Sequence, residues 1–139
     1  MSDPYDLHRF VAAQDQAYAQ VRAELAAGRK TTHWMWFIFP QISGLGQSAM
    51  ARRYAISGLD EARAYAGHGV LGPRLRECTT LVLGHAGTSA RAIFGSPDDM
   101  KLRSCMTLFH TACPDTPSFP QVLDRFYAGK PDENTLALL

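Results

Sequence analysis

Three residues in this chain have side chains suited to moving protons or charge: Asp99, Lys101 and His33. A carboxylate at Asp99 can orient a water at an anomeric carbon, while Lys101 or His33 polarises the leaving group. An oxocarbenium-like transition state requires that combination. A second set suits holding a ligand. Trp34 or Trp36 can stack a flat molecule, with His33 and Gln41 as polar groups at its rim. Gly44-Leu45-Gly46-Gln47-Ser48 leads into a helix followed by Arg52 and Arg53, the make-up of a phosphate or carboxylate site. Arg29 and Lys30 add charge nearby in sequence. Ser104, Thr107 and His110 recur at i, i+3 and i+6, close to one helix face, and can line a polar cleft.

Each signal also has a plain structural reading. The run HWMWFIFPQ (residues 33–41) carries both tryptophans of the chain, and such a run is ordinarily core with its indole N–H groups bonded to backbone. Successive helical residues point about 100° apart, so at least one tryptophan can face a cleft while the rest pack. The GLG segment lacks the dinucleotide-binding G-x-G-x-x-G pattern, so it also reads as a tight loop with Ser48 as an ordinary cap. Asp98 and Asp99 complement a helix dipole without further function. Ser104 and Thr107 can bond back to the carbonyls of their own helix.

The elements that must position these residues read as helices. The chain has 139 residues, 46% hydrophobic and 19% charged, which fits one folded domain spanning 1–139. Leu7, Phe10, Val11, Gln14, Tyr18, Val21 and Leu25 recur at helical steps, starting near Ser2 or Asp3 and stopping at Gly28. Asp15 can cap a second helix and break this segment in two. Thr31 or Thr32 can cap a short helix through the aromatic run, closed by Pro40. A strand is the alternative there, but no second strand-like run exists to pair with it.

Ser48 opens a segment through Ile56. Ser57 to Asp60 has capping-box-like spacing and starts a helix to about Ala66. Pro73 sits in a first turn, with Leu75, Cys78, Thr79, Val82 and Leu83 on one face. A short helix spans Ala90 to Phe94 and stops at Gly95. Ser96-Pro97-Asp98-Asp99 reads as cap, first-position proline and acids, opening a helix to about Cys113. Ser118 and Pro120 start another ending at Gly129, and Asp132 caps a last one. The expected fold is all-α: a single compact multihelical domain of about seven to nine short helices.

Composition excludes several functions. A net charge of +1 gives no field for nucleic acid. The longest apolar stretch, Trp34 to Phe39, is far short of a membrane span, and the N-terminus reads as no signal peptide. Three cysteines without C-x-x-C spacing favour free thiols in a reducing cytoplasm. None of the five histidines has metal-ligand spacing, so no metal site is expected, and no cofactor is implied.

The segments DLHRFVAAQ, GRKTTHWMWFIFPQISGLG, YAI, LGPRL, DDMKLRSCMTLF and VLDRFYAGKPDENTLALL together resemble an uncharacterised bacterial domain-of-unknown-function family often labelled "calpastatin". The resemblance spans nearly the whole chain and implies a compact multihelical α fold. Calpastatin-type inhibitors are long, disordered and repetitive, whereas this chain is short, nonrepetitive and capped throughout, so protease inhibition is not the leading expectation. DDMKLRSCMTLF followed by FPQVLDRFYAGKPD is also similar to a stretch of the NADAR (YbiA-like) superfamily, which implies N-glycosidic cleavage on ADP-ribose-linked or ribosylated substrates. That superfamily's catalytic glutamate and active-site tryptophan have no residue assigned to them here.

Three functions follow as expectations. The chain is an enzyme on a ribose-phosphate compound, a non-catalytic binder of a nucleotide-like or acidic small molecule in the same pocket, or an interaction module exposing the aromatic run. The partner expected from the first two is a phosphorylated small molecule. The sequence leaves oligomeric state open.

Overall fold

The apolar residues of the first helix recur every three or four positions, and folding turns that stripe inward. The computed structural model describes residues 2–85 and 87–139. α1 (His8–Ala27) buries Phe10, Gln14, Val21, Glu24 and Leu25. The Asp3 carboxylate accepts the backbone N–H groups of Leu7 and His8 at 2.8 and 3.0 Å, satisfying donors at the helix start. Gly28 ends α1 in the left-handed region at φ 73°.

Eight further helices follow among the described residues: α2 (Met35–Ile38), α3 (Ala49–Arg53), α4 (Leu59–Gly67), α5 (Leu71–Leu83), α6 (Ala90–Phe94), α7 (Asp98–Ala112), α8 (Ser118–Tyr127) and α9 (Glu133–Leu138). The fold is all-α and single-domain, as expected, at the upper end of the expected helix number. α7 runs through the middle, burying Leu102, Cys105, Met106, Leu108 and Phe109, and packs against α4, α6, α8 and α9. α5 lies against α1, α4 and α8, and α2 against α1. Phe10, Tyr65, Phe109 and Phe119 form a chain of ring contacts across this core. Full burial of each such ring contributes roughly 1.5–3 kcal/mol. Helices of four or five residues such as α2, α3 and α6 are unstable alone, so this packing holds them.

Several local expectations are corrected. α1 is continuous through Asp15, whose carboxylate pairs with Arg74 at 2.9 Å instead of capping a second helix. Neither Thr31 nor Thr32 caps α2; Trp34 is its N-cap and makes no side-chain cap bond. At α4 the reciprocal half of the capping box comes from Glu61, which accepts the Ser57 N–H at 3.0 Å, and not from Asp60. Ser96 does not cap α7; Pro97 occupies that position and Asp98 and Asp99 fill the first turn. The chain after the aromatic run is extended: Ile42 and Ile56 form an isolated parallel bridge, a pairing that no spacing in the sequence announces.

Candidate functional site

The site begins at the end of α1. With Gly28 turning the chain back, the Arg29 N–H bonds to the Glu24 carbonyl, and residues 30–34 fold over the Glu24 side chain. That carboxylate accepts the N–H of Thr31 at 2.6 Å, the N–H of Thr32 at 3.0 Å, the Thr32 hydroxyl, the Gln20 amide and the Trp34 indole N–H at 3.1 Å. Burial alone pushes the Glu24 carboxyl up, but these donors outweigh it and hold it at about 2. Trp34 is thereby core, packed against Phe39 and Phe94.

Lys30 and Lys101 share one carboxylate. Lys30 Nζ is 2.8 Å from Asp98 Oδ2 and Lys101 Nζ is 3.5 Å from Asp98 Oδ1. The Lys30 ammonium also lies 5.2 Å from the ring centre of Trp34, and that of Lys101 5.8 Å from the ring centre of Trp36. The two ammonium groups that share Asp98 thus each lie near one indole ring, within cation–π range. Trp36 is half-buried and is the tryptophan that reaches a cleft.

That cleft has a volume of about 70 Å³ and is lined by Trp36, Gln41, Ile42, Ser43, Gly44, Gly46, Ala51, Arg52, Tyr54 and Ala55. Its wall is set by the parallel bridge: the Ile56 N–H donates to the Gln41 carbonyl at 2.9 Å and the Ser43 N–H to the Ile56 carbonyl at 2.8 Å. Gly44 adopts φ 104°, open to glycine and strained for other residues. A Cβ on Gly46 would lie 2.4 Å from the Ala51 Cβ, so the loop closes onto α3 only with glycine there. From Gly44 to Met50 no backbone N–H donates to an acceptor among the described residues. The Arg52 guanidinium is exposed; its hydrogen bond is a long one of 3.5 Å to Gln47, and no carboxylate of the described residues pairs with it.

Trp36, Gln41, Gly44, Gly46 and Arg52 thus meet, whereas the other sequence candidates lie elsewhere. Ser48 caps α3 by accepting the Ala51 N–H and does not line the cleft. His33 is exposed and also outside the lining. Asp99 and Lys101 are two residues apart on α7, which puts them about 160° apart around the helix axis. Asp99 faces α8, where the Tyr127 hydroxyl donates to the Asp99 carbonyl, and burial together with the Asp99 charge raises the Tyr127 phenol. Asp99 Oδ1 is buried without a hydrogen-bond partner among the described residues. Ser104 and Thr107 face α9: the Ser104 hydroxyl bonds to the Asp132 carboxylate at 3.2 Å, and Thr107 Oγ1 accepts the Asp132 N–H at 2.9 Å. They anchor the C-terminal helix and line no cleft at Trp36.

Sequence reasoning missed Glu24, Asp98 as a shared counter-ion, and Tyr54. A glutamate on a helix looks like any solvated one; the only clue is the pair of threonines just after the Gly28 stop. Among the described residues no group of three or more His, Cys, Asp or Glu side chains can hold a metal ion. No helix of the described residues is long and apolar enough to cross a membrane.

No curated protein matches the chain. The crystal structure of the conserved hypothetical protein Rv1873 from Mycobacterium tuberculosis is similar over 99% of this chain and 98% of that one, with 55% identity and a TM-score of 0.97. The family described as "Protein of unknown function (DUF1810)" matches residues 4–139. The chain belongs to the DUF1810 family.

Proposed function

We propose that this protein binds a phosphorylated, nucleotide-like small molecule, with a phosphate seated in the cleft between Trp36, Gln41, the Gly44–Gly46 loop and Arg52. The observation that carries this reading is Arg52: an exposed guanidinium without a carboxylate partner among the described residues, at a cleft rimmed by backbone N–H groups that have no acceptor there. Such an arrangement attracts an oxyanion. Trp36 supplies an apolar wall beside it.

Binding without cleavage is the better supported form. The cleft lining contains no carboxylate, histidine or cysteine. Its hydroxyl groups, those of Ser43 and Tyr54, have no carboxylate, histidine or lysine in the lining to activate them as nucleophile or general acid–base. Asp99, the residue to which an N-glycosidic hydrolase reading assigns the water, is turned toward Tyr127. An interaction module built on the aromatic run is disfavoured because Trp34, Met35, Phe37, Ile38 and Phe39 are all buried.

Calorimetry and thermal shift with inorganic phosphate, 5′-AMP, ADP-ribose and NAD, paired with chromatography of the same mixtures, test this reading. The expected result is saturable binding that Arg52→Ala weakens at least tenfold, with no product formed. Enzyme-dependent release of a base or ribose would replace it with the hydrolase reading. Absence of any binding at millimolar ligand would remove it.

A further inference from the structure

A buried phenol needs a hydrogen-bond partner, and three tyrosines of this chain find theirs in the protein. The Tyr18 hydroxyl donates to the Glu77 carboxylate, and the Tyr127 hydroxyl to the Asp99 carbonyl. The Tyr65 hydroxyl accepts from the Gln14 amide and donates to the Phe37 carbonyl. Tyr54 differs. It is 5% exposed, deeper than Tyr18 or Tyr127, yet its hydroxyl has no partner among the described residues. Nor is that oxygen sealed away: the unpartnered side-chain atoms cut off from solvent among the described residues are Asp99 Oδ1 and His110 Nδ1. Tyr54 lines the cleft beside Trp36, Gln41 and Arg52, so the partner its hydroxyl lacks has to come from there.

The ring is fixed by its neighbours. It packs against Phe10 and Phe37, with ring centres 5.7 and 5.5 Å apart. Its backbone ends α3, the Tyr54 N–H bonding to the Met50 carbonyl at 3.2 Å. Two residues on, Ile56 is bonded to Gln41 and Ser43, which holds both segments of the cleft wall together. A polar group held in place before its ligand arrives binds at low entropic cost.

We infer that Tyr54 is a ligand-binding residue whose hydroxyl donates a hydrogen bond to an oxygen of the anion that Arg52 attracts. This rests on the cleft reading above. Arg52 is the one charged residue of the lining, and the side chains of Gln41, Ser43 and Tyr54 are neutral. With no carboxylate there to accept a proton from the anion, the class recognised is a tetrahedral oxyanion that only accepts, sulfate as well as phosphate.

The test is calorimetry of inorganic phosphate and sulfate on the wild type, Tyr54→Phe, Tyr65→Phe and Arg52→Ala, with thermal unfolding of each protein free of ligand. Tyr54→Phe keeps the ring and removes the hydroxyl. It should weaken both anions about tenfold, the worth of a hydrogen bond to a charged group, and leave the unfolding midpoint unchanged. Tyr65→Phe, which removes two bonds inside the protein, should lower the midpoint and bind both anions as the wild type does. If Tyr54→Phe binds both anions like the wild type while Arg52→Ala weakens them, the role of Tyr54 is wrong and the cleft reading stands. A loss for phosphate alone also overturns it, because the hydroxyl would then accept a proton from the ligand. So does a lower midpoint for Tyr54→Phe, which would assign the hydroxyl to the fold. If the wild type binds neither anion, both readings fall.

Discussion

The Lys30 ammonium and the Asp98 carboxylate are 2.8 Å apart, with the lysine side chain 7% exposed, and this pair joins the end of α1 to the start of α7. A buried charge that loses its counter-ion is costly, whereas replacing both partners by apolar groups is often neutral. Lys30→Met or Asp98→Leu alone breaks the pair, and Asp98→Leu should therefore lower the unfolding free energy by about 3 kcal/mol. The double variant Lys30→Met/Asp98→Leu should recover most of that loss. Urea unfolding of the two singles and the double closes the cycle, and simple additivity of the losses would contradict a coupled pair.

Glu24 predicts an acid limb of stability. Its folded carboxyl sits at about 2 against an ordinary 4.5, so as pH falls the unfolded chain takes up the proton first. The stabilisation is present in full above the unfolded value and is lost as pH drops from about 4.5 toward 2. It amounts to about 3 kcal/mol, since each tenfold difference in proton affinity between folded and unfolded chain is worth roughly 1.4 kcal/mol. Glu24→Gln should be less stable at pH 7 and show a flatter decline between about pH 5 and 2. Parallel slopes for wild type and variant would falsify the assignment.

Gly46→Ala places a methyl carbon 2.4 Å from the Ala51 Cβ. Overpacking of this kind costs about 1–3 kcal/mol, here as displacement of the loop from α3. The companion Gly46→Ala/Ala51→Gly removes the clash and should restore both thermal stability and phosphate affinity. A double variant no better than Gly46→Ala alone would show that backbone conformation, and not contact with α3, demands the glycine.

The thiols should differ in reactivity. Cys78 and Cys105 are buried, and burial pushes Cys78 up to about 12 and Cys105 well above its ordinary value; Cys113 is half-buried and raised for the same reason. At about pH 8 a disulfide reagent should label Cys113 slowly, leave the other two untouched, and label all three in guanidinium. Rapid labelling of Cys105 in the folded protein would argue against this core.

Much of the helix pattern was legible because its signals are local. Gly95 ends α6, and Asp132 opens α9 by accepting the Thr135 N–H. The GLG loop and Gln41 were also legible as candidates, since glycine pairs and polar residues flanking an aromatic run are visible without a fold. Asp15 was misleading because a cap and an ion-pair partner are the same residue type; only the arrival of Arg74 from α5 distinguishes them. Asp99 and Lys101 looked like neighbours in sequence, but the helical period sends one to Tyr127 and the other to Trp36.

The sequence by itself determined an all-α domain, the stops at Gly28 and Gly95, and the presence of an aromatic core run followed by a glycine loop. Those follow from backbone conformational preference and hydrophobic period, which act over a few residues. Which tryptophan meets a cleft and which carboxylate serves two lysines were decided by tertiary structure. The reason is that Lys30 and Asp98, Ile42 and Ile56, and Gly44 and Leu138 are brought together when the helices pack around a shared core, not by any spacing along the chain.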